Sequence, residues 1–229
     1  MLISKSMMYT FKTCPLCFKY KYIDRRFPDT VKSELTLIGT AIHELFHDFF
    51  DHVNLDKVPD DEPYDYFVNV IPVPIQFRGI FREFYRFESE RWKKYGREYW
   101  MPVLREEKII YDDLIGIIDR VDYDGEEYTV IDYKGSISNI SAIRFELYMY
   151  KHILDESGIL DKPVKYIASY AYRTGQFFKE ESRDWLYERA MKKIDAFREL
   201  DFGGIEYEKR KGYHCRWCEY RRMCMNGDR

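Results

Sequence analysis

Asp132 and Lys134 stand two residues apart in Tyr128-Thr129-Val130-Ile131-Asp132-Tyr133-Lys134-Gly135, a run otherwise apolar and β-branched. That spacing puts an acid and a base on one face of a strand, with Ile131 and Tyr133 pointing away. Just upstream, Gly116-Ile117-Ile118-Asp119-Arg120-Val121-Asp122 reads as a partner strand joined through Asp124-Gly125, which brings Asp119 alongside. Carboxylates near the ends of apolar strands cost desolvation energy unless a cation meets them, and two carboxylates suit a hard divalent ion. Taken alone, the same charges also read as the solvated face of an edge strand, the commoner fate of strand charges.

Five cysteines form the second concentration of chemistry. Cys14 and Cys17 lie in Thr13-Cys14-Pro15-Leu16-Cys17-Phe18, and Cys215, Cys218 and Cys224 form a C-x2-C-x5-C tail. The tail is rich in Arg and nearly devoid of aliphatics, so its thiols have no core to enter and point to a shared metal. The pairs Cys14/Cys17 and Cys215/Cys218 would make a tetrahedral zinc site and leave Cys224 spare. One amino-terminal Cys with Cys215, Cys218 and Cys224 would instead hold an iron-sulfur cluster and leave Cys17 spare. Ligand counting leaves both open.

The elements that must position these residues follow from hydrophobic period. Apolar residues from Leu37 to Val53 recur at helical spacing and predict a helix over 35–53. Residues 56–74, rich in Asp and Pro, read as a loop, and 75–95 resume a helical period through Ile80, Phe81, Phe84, Phe87 and Trp92. A strand over 100–111 then enters the hairpin, followed by a helix over 138–156 and a strand over 164–172. After a turn at Thr174-Gly175 come a short strand over 177–179 and a helix over 184–200. The predicted order is helix, three antiparallel strands, helix, strand.

With those elements in place, Asp119 and Val130-Ile131-Asp132-Tyr133-Lys134 resemble the D…(D/E)xK signature of the PD-(D/E)xK nuclease superfamily, in its RecB-like branch. Gly39-Thr40-Ala41-Ile42-His43 resembles that branch's G-T-x-x-H segment. Glu146-Leu147-Tyr148-Met149-Tyr150 resembles its Q-L-x-x-Y motif, with Glu146 where Gln is expected. Cys14-Pro15 with the C-x2-C-x5-C tail is similar to the iron-sulfur RecB-like nucleases, which include CRISPR-associated exonucleases and the AddB nuclease domain. The resemblance implies an α/β, restriction-endonuclease-like core in a single nuclease domain over 1–229. Residues 54–100 would be a helical insertion, with 1–26 and 201–229 together forming a region stapled by the cluster. It further implies Mg2+ or Mn2+ held by His43, Asp119, Asp132 and the carbonyl of Tyr133, with Lys134 orienting or helping to deprotonate the attacking water and Tyr150 supporting it. Either Glu106 or Glu107 would match a Glu found in that branch. A 4Fe-4S cluster would be held by Cys14, Cys215, Cys218 and Cys224. The partner would be single-stranded DNA or DNA ends, met in part by Glu146 and Arg144, with protein partners in a CRISPR integration, recombination or repair complex. An anion at Glu146 would repel a phosphate unless a metal or a Lys lies near it.

Composition bounds the remaining readings. A formal charge of -3 over 229 residues excludes a globally basic protein, so a nucleic-acid surface must be local. Candidate stripes are the interleaved aromatic and basic residues after Cys17 and a wall of Arg78, Arg82, Arg86, Arg91, Lys93 and Lys94, although Glu83, Glu88 and Glu90 suggest a solvated helix face there. No run is long or apolar enough to span a bilayer, and the first ten residues lack a signal peptide's apolar region, so no membrane partner and a cytoplasmic location are expected. Two other classes remain: a nucleic-acid-binding adaptor of the same fold without catalysis, and a zinc-stapled interaction module.

Overall fold

The computed structural model describes residues 1–30 and 34–226. In chain order the helices are α1 (Lys5–Thr13), α2 (Pro15–Phe18), α3 (Glu34–His52), α4 (Pro63–Phe67) and α5 (Arg78–Tyr99). Then come strands β1 (Leu104–Tyr111), β2 (Leu114–Tyr123) and β3 (Tyr128–Lys134), helix α6 (Ile140–Ser157), strands β4 (Val164–Ala171) and β5 (Gln176–Glu181), and helices α7 (Asp184–Arg198) and α8 (Arg221–Asn226). The helical, hairpin and strand expectations therefore have counterparts, with ends shifted by a few residues. None of the described helices is long and apolar enough to cross a membrane.

The chain divides into two compact units, residues 39–190 and residues 1–38 with 191–229. The first holds a five-stranded sheet in the order β1-β2-β3-β4-β5. Neighbouring pairs β1/β2, β2/β3 and β4/β5 run antiparallel, whereas β3 and β4 are parallel. A parallel pair needs a crossover connection, and α6 supplies it. β3 is thus central, and all of its residues but Lys134 are buried. The continuous apolar run Tyr128–Ile131 fits a strand buried on both faces and removes the edge-strand reading of Asp132 and Lys134.

An aromatic core fixes α3, α4 and α5. Phe46 stacks on Phe84 at 4.0 Å between centroids, and Phe67 stacks on Trp100 at 5.0 Å. This corrects the loop expected over 56–74: Pro63 starts α4 with its missing N–H in the first turn, and the helix carries Phe67 into the core. Ile75–Phe77 form a 3-10 turn, and α5 begins three residues later than its period suggests. Near its end, Gly96 adopts φ +66°, a conformation that glycine takes without steric cost.

In the other unit, Phe18 is fully buried and stacks on Phe202 at 5.3 Å, with Phe11 edge-on at 5.1 Å and Phe197 at 6.1 Å. Backbone bonds tie the two chain ends together: Leu16 N donates to Glu208 O at 3.2 Å, and Asp29 N to Glu219 O at 2.9 Å.

Candidate active site

The β2/β3 register pairs Arg120 with Ile131 and Val121 with Val130, which sets Asp119 across from Asp132. Asp119 Oδ2 also accepts a hydrogen bond from the backbone N–H of Tyr133 at 2.7 Å, clipping the two strands together. From α3, His43 Nδ1 comes within 3.4 Å of Asp119 Oδ1 and 3.3 Å of Glu106 Oε1 on β1. One ligand atom each from His43, Glu106 and Asp119 lie within 4.8 Å of one another, the spacing of groups able to hold one metal ion.

Glu106, rather than Glu107, joins this group. The β1/β2 ladder pairs Arg105 with Arg120 and Glu107 with Ile118 and leaves out the step between, where Glu106 has φ +49°. A left-handed Glu inside a strand is strained, and such strain collects where a side chain must be held for a purpose.

Asp132 is 1% exposed. Its Oδ1 accepts from Lys134 Nζ at 2.6 Å, while Oδ2 is buried without a hydrogen-bond partner among the described residues. An orphaned carboxylate oxygen is costly, and a divalent ion would satisfy it. Burial and the nearby Glu146 carboxylate push the Asp132 pKa well above the usual carboxylate range. Lys134 Nζ also lies 3.0 Å from Glu146 Oε2 on α6, and Tyr150 donates its hydroxyl to Glu146 Oε1 at 3.2 Å. Burial works against the Lys134 cation, but Asp132 and Glu146 outweigh it and raise the Lys134 pKa above its ordinary value. Burial also disfavours a charged His43, yet hydrogen bonds to Asp119 and Glu106 push its pKa up to about 10. Gly39, Thr40 and Ile117 complete the lining of a cleft of about 330 Å³.

Tyr133 turns its ring away from Asp132. The ring meets Phe46 edge-on at 5.0 Å, and its hydroxyl lies 3.2 Å from Arg120 Nη1, so only its backbone remains for the cleft. Arg144 does not line the cleft; Glu180 grips its guanidinium through two 2.6 Å bonds.

The charged wall on α5 is also not uniform. Arg91 and Glu88 are buried in a network with Arg120 and Asp122: Arg120 to Glu88 at 2.5 Å, Arg120 to Asp122 at 2.6 Å, Arg91 to Glu88 at 2.7 Å and Arg91 to Asp122 at 2.8 Å. Sequence reasoning missed this network. The signal was the alternation in β2, where Arg120 must face opposite to Asp119 in a strand buried on both sides. Of the basic residues after Cys17, Lys19 and Lys21 pair with Asp24 and Glu219, and Tyr20 is buried, so that stripe is largely tied up within its own unit.

All five cysteines are free and lie in the unit formed by the chain ends. Cys14 is buried, and the other four are half-buried. Cys17 Sγ, left spare by the iron-sulfur pattern, lies 3.8 Å from Cys218 Sγ.

A helix packed on a mixed sheet, with four acids, a histidine and a lysine gathered in one cleft, defines the class of restriction-endonuclease-like α/β proteins. The chain belongs to the PD-(D/E)XK nuclease superfamily, whose family profile matches residues 3–225. Its fold is shared with the crystal structure of a Eubacterium rectale protein described as "Putative exonuclease" (TM-score 0.55, 13% identity, covering 96% of this chain and 87% of that one). None of the curated proteins matches the sequence.

Proposed function

We propose that this chain is a divalent-metal-dependent deoxyribonuclease acting on single-stranded DNA or DNA ends. The observation that carries the reading is Asp132 Oδ2, a buried carboxylate oxygen with no hydrogen-bond partner among the described residues, in the same cleft as the His43, Glu106 and Asp119 group and two residues from Lys134. His43, Glu106, Asp119, Asp132 and the Tyr133 carbonyl would hold Mg2+ or Mn2+, oxygen donors suiting both and the imidazole favouring Mn2+. When bound, the ion supplies Lewis acidity and neutralises charge on the scissile phosphate. Lys134, kept cationic by Asp132 and Glu146, orients the attacking water and stabilises charge developing on the phosphoryl oxygens. Glu146 holds Lys134 in place, and Tyr150 holds Glu146.

The cysteines support a second element of the proposal, a 4Fe-4S cluster on Cys14, Cys215, Cys218 and Cys224 that pins the chain ends. A zinc reading on the pairs Cys14/Cys17 and Cys215/Cys218 is favoured by one observation, the 3.8 Å between Cys17 and Cys218 sulfurs, which matches two thiolates about 2.3 Å from one tetrahedral ion.

The decisive experiment incubates purified protein with end-labelled linear and with circular single-stranded DNA, in Mg2+, in Mn2+ and in chelator. Metal-dependent cleavage lost in Lys134→Ala supports the proposal. Cleavage at the wild-type rate by Lys134→Ala, or none by the wild type under any condition, overturns it.

A further inference from the structure

We propose that the helical insertion carries a second nucleic-acid site, a groove that takes a segment of single-stranded DNA outside the catalytic cleft. The groove, about 670 Å³, runs between one face of α5 and the segment around α4. Its α5 side is built by Arg78, Phe81, Arg82 and Tyr85, whose spacing of i, i+3, i+4 and i+7 puts all four on one helical face. Tyr64 and Pro72 stand across from them in the lining.

Charge separates these arginines from their neighbours on the same helix. Arg86 is spent on Glu83 at 3.0 Å, and Arg91 is buried in the network with Glu88 and Asp122. Arg78 and Arg82 are exposed and make no ion pair among the described residues. Two cations one turn apart, free of acidic partners and bordering a groove, suit successive phosphates.

A second, independent feature points the same way. Tyr85 is 4% exposed, lines the groove, and its hydroxyl has no hydrogen-bond partner among the described residues. Burial, with Tyr64 close by, pushes its pKa up to about 12, so at neutral pH it is a donor awaiting an acceptor such as a phosphate oxygen. The aromatic and apolar lining suits unstacked bases, and the volume lies within the range of small-ligand clefts, about 300–1,000 Å³. Those features select a single strand over a duplex, whose bases are already stacked on one another.

This inference rests on the nuclease reading for its choice of ligand, and the test separates the two. Binding of an end-labelled oligothymidylate is followed by fluorescence anisotropy in chelator, over a series of salt concentrations, and cleavage of the same strand is followed with Mn2+. Arg78→Glu/Arg82→Glu is expected to weaken binding at least tenfold. It should also reduce the slope of log affinity against log salt by about 1.4, two phosphate contacts at roughly 0.7 each for single strands. Tyr85→Phe should weaken binding a few-fold with the slope unchanged, and Arg86→Glu, a charge reversal outside the groove, should leave both unchanged. The milder Arg78→Gln/Arg82→Gln, checked by circular dichroism, shows the same direction if the reversal disturbs folding. Unchanged affinity and slope in both double variants, an equal loss in Arg86→Glu, or tighter binding of duplex than of single strand each overturns the groove, with the nuclease reading untouched if cleavage persists. Arginine-dependent binding without metal-dependent cleavage upholds the groove and overturns the nuclease reading instead.

Discussion

Glu146 Oε2 lies 3.0 Å from Lys134 Nζ, so the residue that departs from the Q-L-x-x-Y pattern is the second counter-ion of the cleft's lysine. The anion that would have opposed a phosphate is thereby neutralised within the protein, at a helix-to-sheet contact where both side chains are largely buried. The pair also links α6 to β3, tying the crossover helix to the strand that carries Asp132 and Lys134.

Glu146→Gln is expected to fold normally and to lower KM for DNA about threefold or more, because Lys134 then loses one of its two counter-ions and leaves more of its charge for the substrate phosphate, with kcat changing less because the Gln amide oxygen still accepts from Lys134. Glu146→Ala should in addition lose about 1–3 kcal/mol of stability, since it leaves the Tyr150 hydroxyl without its acceptor. Steady-state kinetics and denaturant melts check the two effects separately.

Asp132→Asn and Lys134→Ala should each reduce cleavage by about a hundredfold or more. Asp132→Asn should not lower the melting temperature of the metal-free protein, because burial and Glu146 already make that carboxylate costly to ionise. A variant that unfolds in parallel with its loss of activity would contradict this separation.

The network of Glu88, Arg91, Arg120 and Asp122 is structural in its energetics. Removing one member, as in Glu88→Ala, strands buried cations and should cost about 3–5 kcal/mol in urea unfolding. Because Arg120 also holds the Tyr133 hydroxyl, Tyr133→Phe should be milder, about 1 kcal/mol.

His43 supplies a pH dependence with a definite sign. Its pKa in the fold is about 10, above the ordinary imidazole value of 6.5, so its charged form stabilises the metal-free protein fully below pH 6.5. That contribution is lost as pH rises toward 10. A metal takes the neutral imidazole and releases the proton, so Mn2+ affinity should increase across the same window. Calorimetric titration in buffers of different ionisation enthalpy should show proton release near pH 7.5, and His43→Ala should reduce it.

For the chain ends, the proposed iron-sulfur cluster predicts that Cys215→Ala, Cys218→Ala and Cys224→Ala bleach its broad visible absorbance and lower the melting temperature, whereas Cys17→Ala does neither. Joining ligands from opposite ends closes a loop of nearly the whole chain, which restricts the unfolded state strongly. Bound zinc in place of iron, lost in Cys17→Ala and kept in Cys224→Ala, would establish the two-pair arrangement instead.

What the sequence determined by itself is local. Period-two alternation set Asp132 and Lys134 on one face of a strand, the helical stripe around Ile42, Phe46 and Phe49 marked α3, and the resemblance to the family's motifs pointed to His43, Asp119 and Tyr150. Short-range geometry is enough for the first two, because side-chain direction follows from position along a strand or helix. The tertiary structure alone decided what depends on partners far apart in the chain. Glu106 prevailed over Glu107 only because the β1/β2 ladder skips it, between the Arg105/Arg120 and Glu107/Ile118 pairs, and folding brings its carboxylate to His43. Arg91 left the predicted charged wall because Asp122 and Glu88 meet it in the interior, and Arg144 turned from the cleft because Glu180, 36 residues away, binds it in two places. Charged side chains read alike in a sequence, and whether one is exposed, buried or facing a phosphate is settled by the counter-charge that folding brings to it.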